Sequence, residues 1–97
     1  MATYIERMTD LVASACGDLS PDENDKRLYR VYALLAFAKG EATTMEDVHD
    51  AWAAWRSDTF AAHPAIVPFD ELSLDVQELD RPYLEAIHSA CRRYEDG

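Results

Sequence analysis

Between Asp25 and Lys39 the chain leaves almost no polar side. After a polar first turn, Leu28, Tyr29, Val31, Tyr32, Leu34, Leu35 and Phe37 cover nearly the whole circumference of a helix. A helix apolar nearly all round has to be surrounded, so this one belongs at the centre, with other helices packed about it. Lys39 and Gly40 supply its ending, a cation at the negative end of the dipole and a glycine just beyond.

The surrounding helices are legible from their stripes. Over residues 2–16, Tyr4, Ile5, Met8, Leu11, Val12 and Ala15 recur at helical spacing, and Gly17 stands where a left-handed cap belongs. A polar turn follows, with Ser20 and Pro21 suited to starting the next segment. A third helix is expected over 44–57, opened by the capping box Thr43-x-x-Glu46, with Thr44-x-x-Asp47 as the second choice. Its inward stripe is Met45, Val48, Trp52 and Trp55, and Ala51 and Ala54 allow a neighbour close. A last helix over 80–95 starts from Asp80, carries Pro82 in its first turn, and buries Tyr83, Leu84, Ile87, Ala90, Cys91 and Tyr94.

Regular spacing fails between the last two helices. His63-Pro64-Ala65-Ile66-Val67-Pro68 is bounded by prolines that disfavour helix in the residue before them, so 62–69 reads as an extended strap and about 70–78 as a short extra helix. No segment alternates with a period of two. The expected fold class is all-α, a single compact domain over 1–97 of four main helices with the strap and the short helix laid across them.

Charge and composition exclude several functions. With 19 acidic against 9 basic residues the net charge is −10, which opposes a phosphate backbone and excludes nucleic acid as a partner. No apolar run approaches the ~20 residues of a membrane span, and the start has neither a basic leader nor an apolar signal core. A cytoplasmic protein is expected. Cys16 and Cys91 each fall on an apolar stripe and read as small buried thiols, with a bridge between them left open. His88-x-x-Cys91 has the spacing of two zinc ligands on a helix, but no second such pair accompanies it, so no metal and no cofactor are expected.

Chemistry-bearing residues concentrate between Thr43 and Asp80, which hold both tryptophans and two of the three histidines. A ligand-binding set is drawn from them: His49, Trp52, Arg56, His63, Pro68, Phe69, Asp80 and Arg81. An aromatic wall with a few polar groups suits a flat ligand. The same side chains also serve if they merely lock the strap onto the core, and both readings stand. A hydrolase using His49 with Glu46 shows neither nucleophile nor oxyanion donors, so the chain is read as no enzyme.

The strings Glu46 to Trp52, His63 to Leu72 and Asp80-Arg81-Pro82 resemble the ryanodine-receptor repeat domain, whose pattern is a helix with xxHxxW, then HPxxVPYxxL, then a helix opening with KDxP. The resemblance covers about residues 33–90 and departs from the family at Leu79, which stands where the family has a lysine, and in the absence of a Gly-Trp-x-Tyr-Gly segment before the strap. It implies a small non-catalytic helical module, paired in cytosolic parts of calcium-release channels and present alone in bacteria and phages. By that resemblance the partner is a small, nucleotide-like molecule, and a homodimer replaces the paired repeat. The alternative is an acidic interaction module, a phage-type inhibitor lying on a basic host surface.

Overall fold

Thr3 opens the first helix by accepting the Glu6 backbone N–H, 3.1 Å away, on its hydroxyl. The computed structural model describes residues 3–17 and 25–96; the expected turn at Ser20 and Pro21 lies outside them. In the described residues α1 spans Tyr4–Cys16, α2 Asp25–Lys39, α3 Met45–Phe60, α4 Leu74–Glu78 and α5 Arg81–Asp96, and no strand occurs among them. The protein is all-α.

Packing follows the stripes. Helix α2 touches α1, α3 and α5, and its Leu28, Tyr32, Ala33 and Ala36 meet Met8, Val12 and Cys16 of α1, Val48 of α3, and Ile87, Ala90 and Cys91 of α5 in one core. The central position expected of α2 is therefore its actual one, although Leu34 and Phe37 remain exposed on its outer side. Phe37 meets Tyr4 and Tyr94 there in T-shaped contacts, each with ring centroids 5.3 Å away. Both cysteines are buried and form no disulfide. Cys91 donates to the Ala36 carbonyl at 3.7 Å, and His88 donates through Nε2 to the Thr43 carbonyl at 3.0 Å. The residues with zinc-ligand spacing thus tie α5 to α2 and to the start of α3.

Three expectations about α3 need correction. Its capping box is Thr44 with Asp47, and the Thr43–Glu46 pair plays no part in it. The buried Thr43 hydroxyl is taken by the Gly40 carbonyl at 2.7 Å, while Asp47 gains a 2.8 Å ion pair with Lys39, so the register one residue later has the stronger partners. The helix also runs on to Phe60 rather than ending near 57, and Ala54 faces solvent while Ala51 is buried.

The short helix expected over about 70–78 is two pieces, a 3-10 turn at Phe69–Glu71 and α4. Ser73 separates them by capping α4, with Val76 N–H donating to its hydroxyl. From α4, the Gln77 side-chain amide donates to the carbonyls of Phe69 and Leu72 at 3.0 and 3.1 Å, which pins the turn at the end of the strap. No helix among the described residues is long and apolar enough to cross a membrane.

Candidate binding cleft

Helix α3 presents His49, Trp52 and Arg56 at intervals of three and four residues, hence along one face. The strap crosses that face. His49 is buried, and its Nε2 lies 2.7 Å from the Val67 carbonyl. A carbonyl can only accept, so Nε2 carries the hydrogen and fixes the strap to α3. Phe69 packs at a tilt against the same imidazole, with centroids 6.0 Å apart. Trp52 stacks on His49 from another side at 5.7 Å and meets His63 edge-on at 5.2 Å. His63 accepts the Ala65 backbone N–H at Nδ1, 3.1 Å away, which shapes the turn after Pro64.

Between α2, α3, the strap, α4 and the start of α5 these groups leave a cleft of about 450 Å³. Five of the eight residues drawn from the sequence line it: His49, Trp52, Arg56, His63 and Asp80. Pro68, Phe69 and Arg81 do not. Phe69 supports His49 from behind and Pro68 is exposed, its carbonyl accepting the Glu71 N–H. Arg81 is exposed and forms a two-pronged contact with Glu78, at 2.6 and 2.9 Å, leaving Arg56 as the lining guanidinium.

The cleft also uses residues that spacing assigned wholly to packing. Tyr32 of α2, Trp55 of α3 and Tyr83 of α5 line it, with Leu28, Ala65, Val76 and Leu79. The Tyr32 and Tyr83 rings lie 5.9 Å apart at a tilt. Their one sequence signal is a hydroxyl at the end of an apolar stripe, and that signal is shared with Tyr29 and Tyr94. Only the crossing of α2 with α5 shows which tyrosines meet the cleft.

Electrostatics centre on Asp80. Its carboxyl Oδ2 lies 3.9 Å from His49 Nδ1. Burial pushes the Asp80 pKa up to about 6, and the neighbouring His49 pulls in the opposite direction with less effect. Burial also raises the Tyr32 hydroxyl, with the Asp80 charge adding to it, so Tyr32 stays protonated. Glu46, the acid once paired with His49 in a hydrolytic reading, is exposed in the first turn of α3, and the carboxylate beside His49 is Asp80. Of the two ring nitrogens of His49, Nε2 holds the strap and Nδ1 faces Asp80 at the wall of the cleft.

A family profile matches residues 3–92 of the chain. The chain belongs to the family described as Domain of unknown function (DUF7701). No curated protein and no solved structure shows significant similarity to it. Membership in DUF7701 overturns the resemblance to the ryanodine-receptor repeat, because the profile covers the same helix, strap and last-helix start and nothing supports the other family. The reason is visible in the fold. The His-x-x-Trp and His-Pro-to-Pro strings encode a local device, a helix that bonds and stacks on a proline-bounded strap, and His49, Trp52 and His63 are engaged in that device. The pairing into repeats and the phage setting that the resemblance implied go with it.

Proposed function

We propose that this DUF7701 domain is a non-catalytic binding module that holds a small molecule with a flat apolar body in the cleft between α2, α3, the strap and α5. The observation that carries the reading is the convergence of Tyr32, Trp52, Trp55 and Tyr83 with Asp80, His63 and Arg56 on one concavity. Its volume falls within the ~300–1,000 Å³ common for ligand sites, and its composition, mostly apolar with a few polar groups, is the usual one. Binding rather than turnover is supported by the lining, which among the described residues includes no Ser, Thr, Cys or Lys to serve as a nucleophile, and by His49, whose Nε2 is committed to the Val67 carbonyl. Locking the strap and forming the wall are one arrangement here: the outer faces of Trp52 and His63 remain partly exposed while their edges hold the chain.

A thermal-shift screen of metabolites, nucleotides included, tests this directly. A ligand at 100 times its dissociation constant adds about 2.7 kcal/mol of stability, and the shift should grow with ligand concentration. Ala65→Trp, which fills the cleft from the strap, should abolish the shift. A hit unaffected by Ala65→Trp would place binding elsewhere, and a silent screen would sink the reading.

One observation favours a second reading. Asp70, Glu71 and Asp75 are exposed together on the turn and helix that close the strap, on a chain of net charge −10, and such a face suits a basic protein surface. Capture of a basic partner at low salt, and its release as ionic strength rises past the point where the Debye length is about 8 Å, would support it.

A further inference from the structure

Two acceptors face each other inside the cleft. With Nε2–H given to the Val67 carbonyl, the His49 ring in its neutral form turns an Nδ1 lone pair toward the Asp80 carboxyl, 3.9 Å away. That separation is too long for a hydrogen bond between them, whereas one nitrogen donor about 2.9 Å from each fits over it. Trp52, Trp55, Tyr32 and Tyr83 line the same cleft, and aromatic faces attract cations. The chain as a whole, at −10, raises the local concentration of cations.

Resting on the small-molecule reading above, we infer that the ligand is an organic cation, a flat apolar body with an ammonium, amidinium or guanidinium head whose N–H groups are taken by Asp80 and His49. The groups around Asp80 agree with this. Tyr32 keeps its proton and is neutral, and Tyr83 completes the aromatic side. Arg56, the lining guanidinium, sits seven residues beyond His49 on α3, about 10 Å along the helix, with its guanidinium carbon 5.9 Å from the ring centroids of both Trp55 and Phe60. It leaves the Asp80 end to a ligand and marks the opposite end of the cleft as the place for any electron-rich group the ligand carries. Burial makes the Asp80 charge costly, and an incoming cation offsets that cost where water is scarce.

The test is a charge series on one ring, run at about pH 8 so that Asp80 is ionised. Wild-type protein is titrated with benzamidinium, benzyltrimethylammonium, benzamide and benzoate, read by tryptophan fluorescence and melting temperature, and the series is repeated on Asp80→Asn. Benzamidinium is expected to bind best, benzyltrimethylammonium more weakly because it has no N–H, and Asp80→Asn to lose about tenfold or more in affinity for benzamidinium, the effect of one charge-assisted hydrogen bond. Benzoate or benzamide binding wild type as tightly as benzamidinium, or benzamidinium affinity unchanged in Asp80→Asn, overturns the cation and leaves the cleft as a binding site. Silence of all four probes overturns the cation as well, and the metabolite screen then decides separately whether the cleft binds anything. The wild-type series stands on its own should Asp80→Asn fail to fold.

Discussion

Asp80 carries its charge at a cost to the fold, and the cost has a sign. The folded protein holds the Asp80 proton up to about pH 6, while the unfolded chain releases it near the ordinary value of 3.8. Between those values the folded state binds more protons, so the contribution of this group to stability falls as pH rises through the window and is least above it. Asp80→Asn is expected to be more stable than wild type at about pH 8, with the difference closing as pH approaches 4. Urea midpoints across the range check this, and a difference independent of pH would contradict it. His49 shows the opposite economy. Its Nε2–H satisfies the Val67 carbonyl, so His49→Ala should cost at least about 1–3 kcal/mol from the orphaned acceptor alone, measured by chemical denaturation. At this scale the sequence singled out His49, Trp52, His63 and Asp80 by type and neighbourhood. It did not separate Arg56, which lines the cleft, from Arg81, which is spent on Glu78, because both are cations beside apolar stripes and only the geometry shows their partners.

Among the elements, α3 shows how close competing signals are. Thr43-x-x-Glu46 and Thr44-x-x-Asp47 offer nearly the same cap one residue apart, and the choice falls to Lys39 and the Gly40 carbonyl, which lie outside the helix. Thr44→Ala should therefore destabilise the protein by about 1 kcal/mol, whereas Glu46→Ala should stay within about 0.5 kcal/mol of wild type. Equal losses in the two variants, measured by urea unfolding, would argue against the register. The strap and α4 make the same point. Prolines at 64 and 68 announce extended chain, but the 3-10 turn at Phe69–Glu71 depends on Gln77 reaching back to Phe69 and Leu72. A glutamine on a short helix carries no such message in its spacing.

For the molecule as a whole, self-repulsion is the most general property, since a net charge of −10 on 97 residues opposes compaction. Added sodium chloride should raise the melting temperature as the Debye length contracts from about 30 Å at 0.01 M to about 10 Å at 0.1 M, and a scanning calorimeter would show a fall instead if attractive surface pairs such as Arg92–Glu41 dominated. The all-α class, the central place of α2 and most core positions of α1, α3 and α5 followed from the sequence, because helical periodicity is a local property, while Tyr4 of the α1 stripe and Leu34 and Phe37 of α2 stand exposed. Which faces cross could not be read from periodicity. That Tyr32, Tyr83 and Trp55 join His49 and Asp80 around one cleft depends on the angles at which α2, α3 and α5 meet and on the strap that His49 fixes through the Val67 carbonyl, and these are decided by side-chain packing between segments distant along the chain.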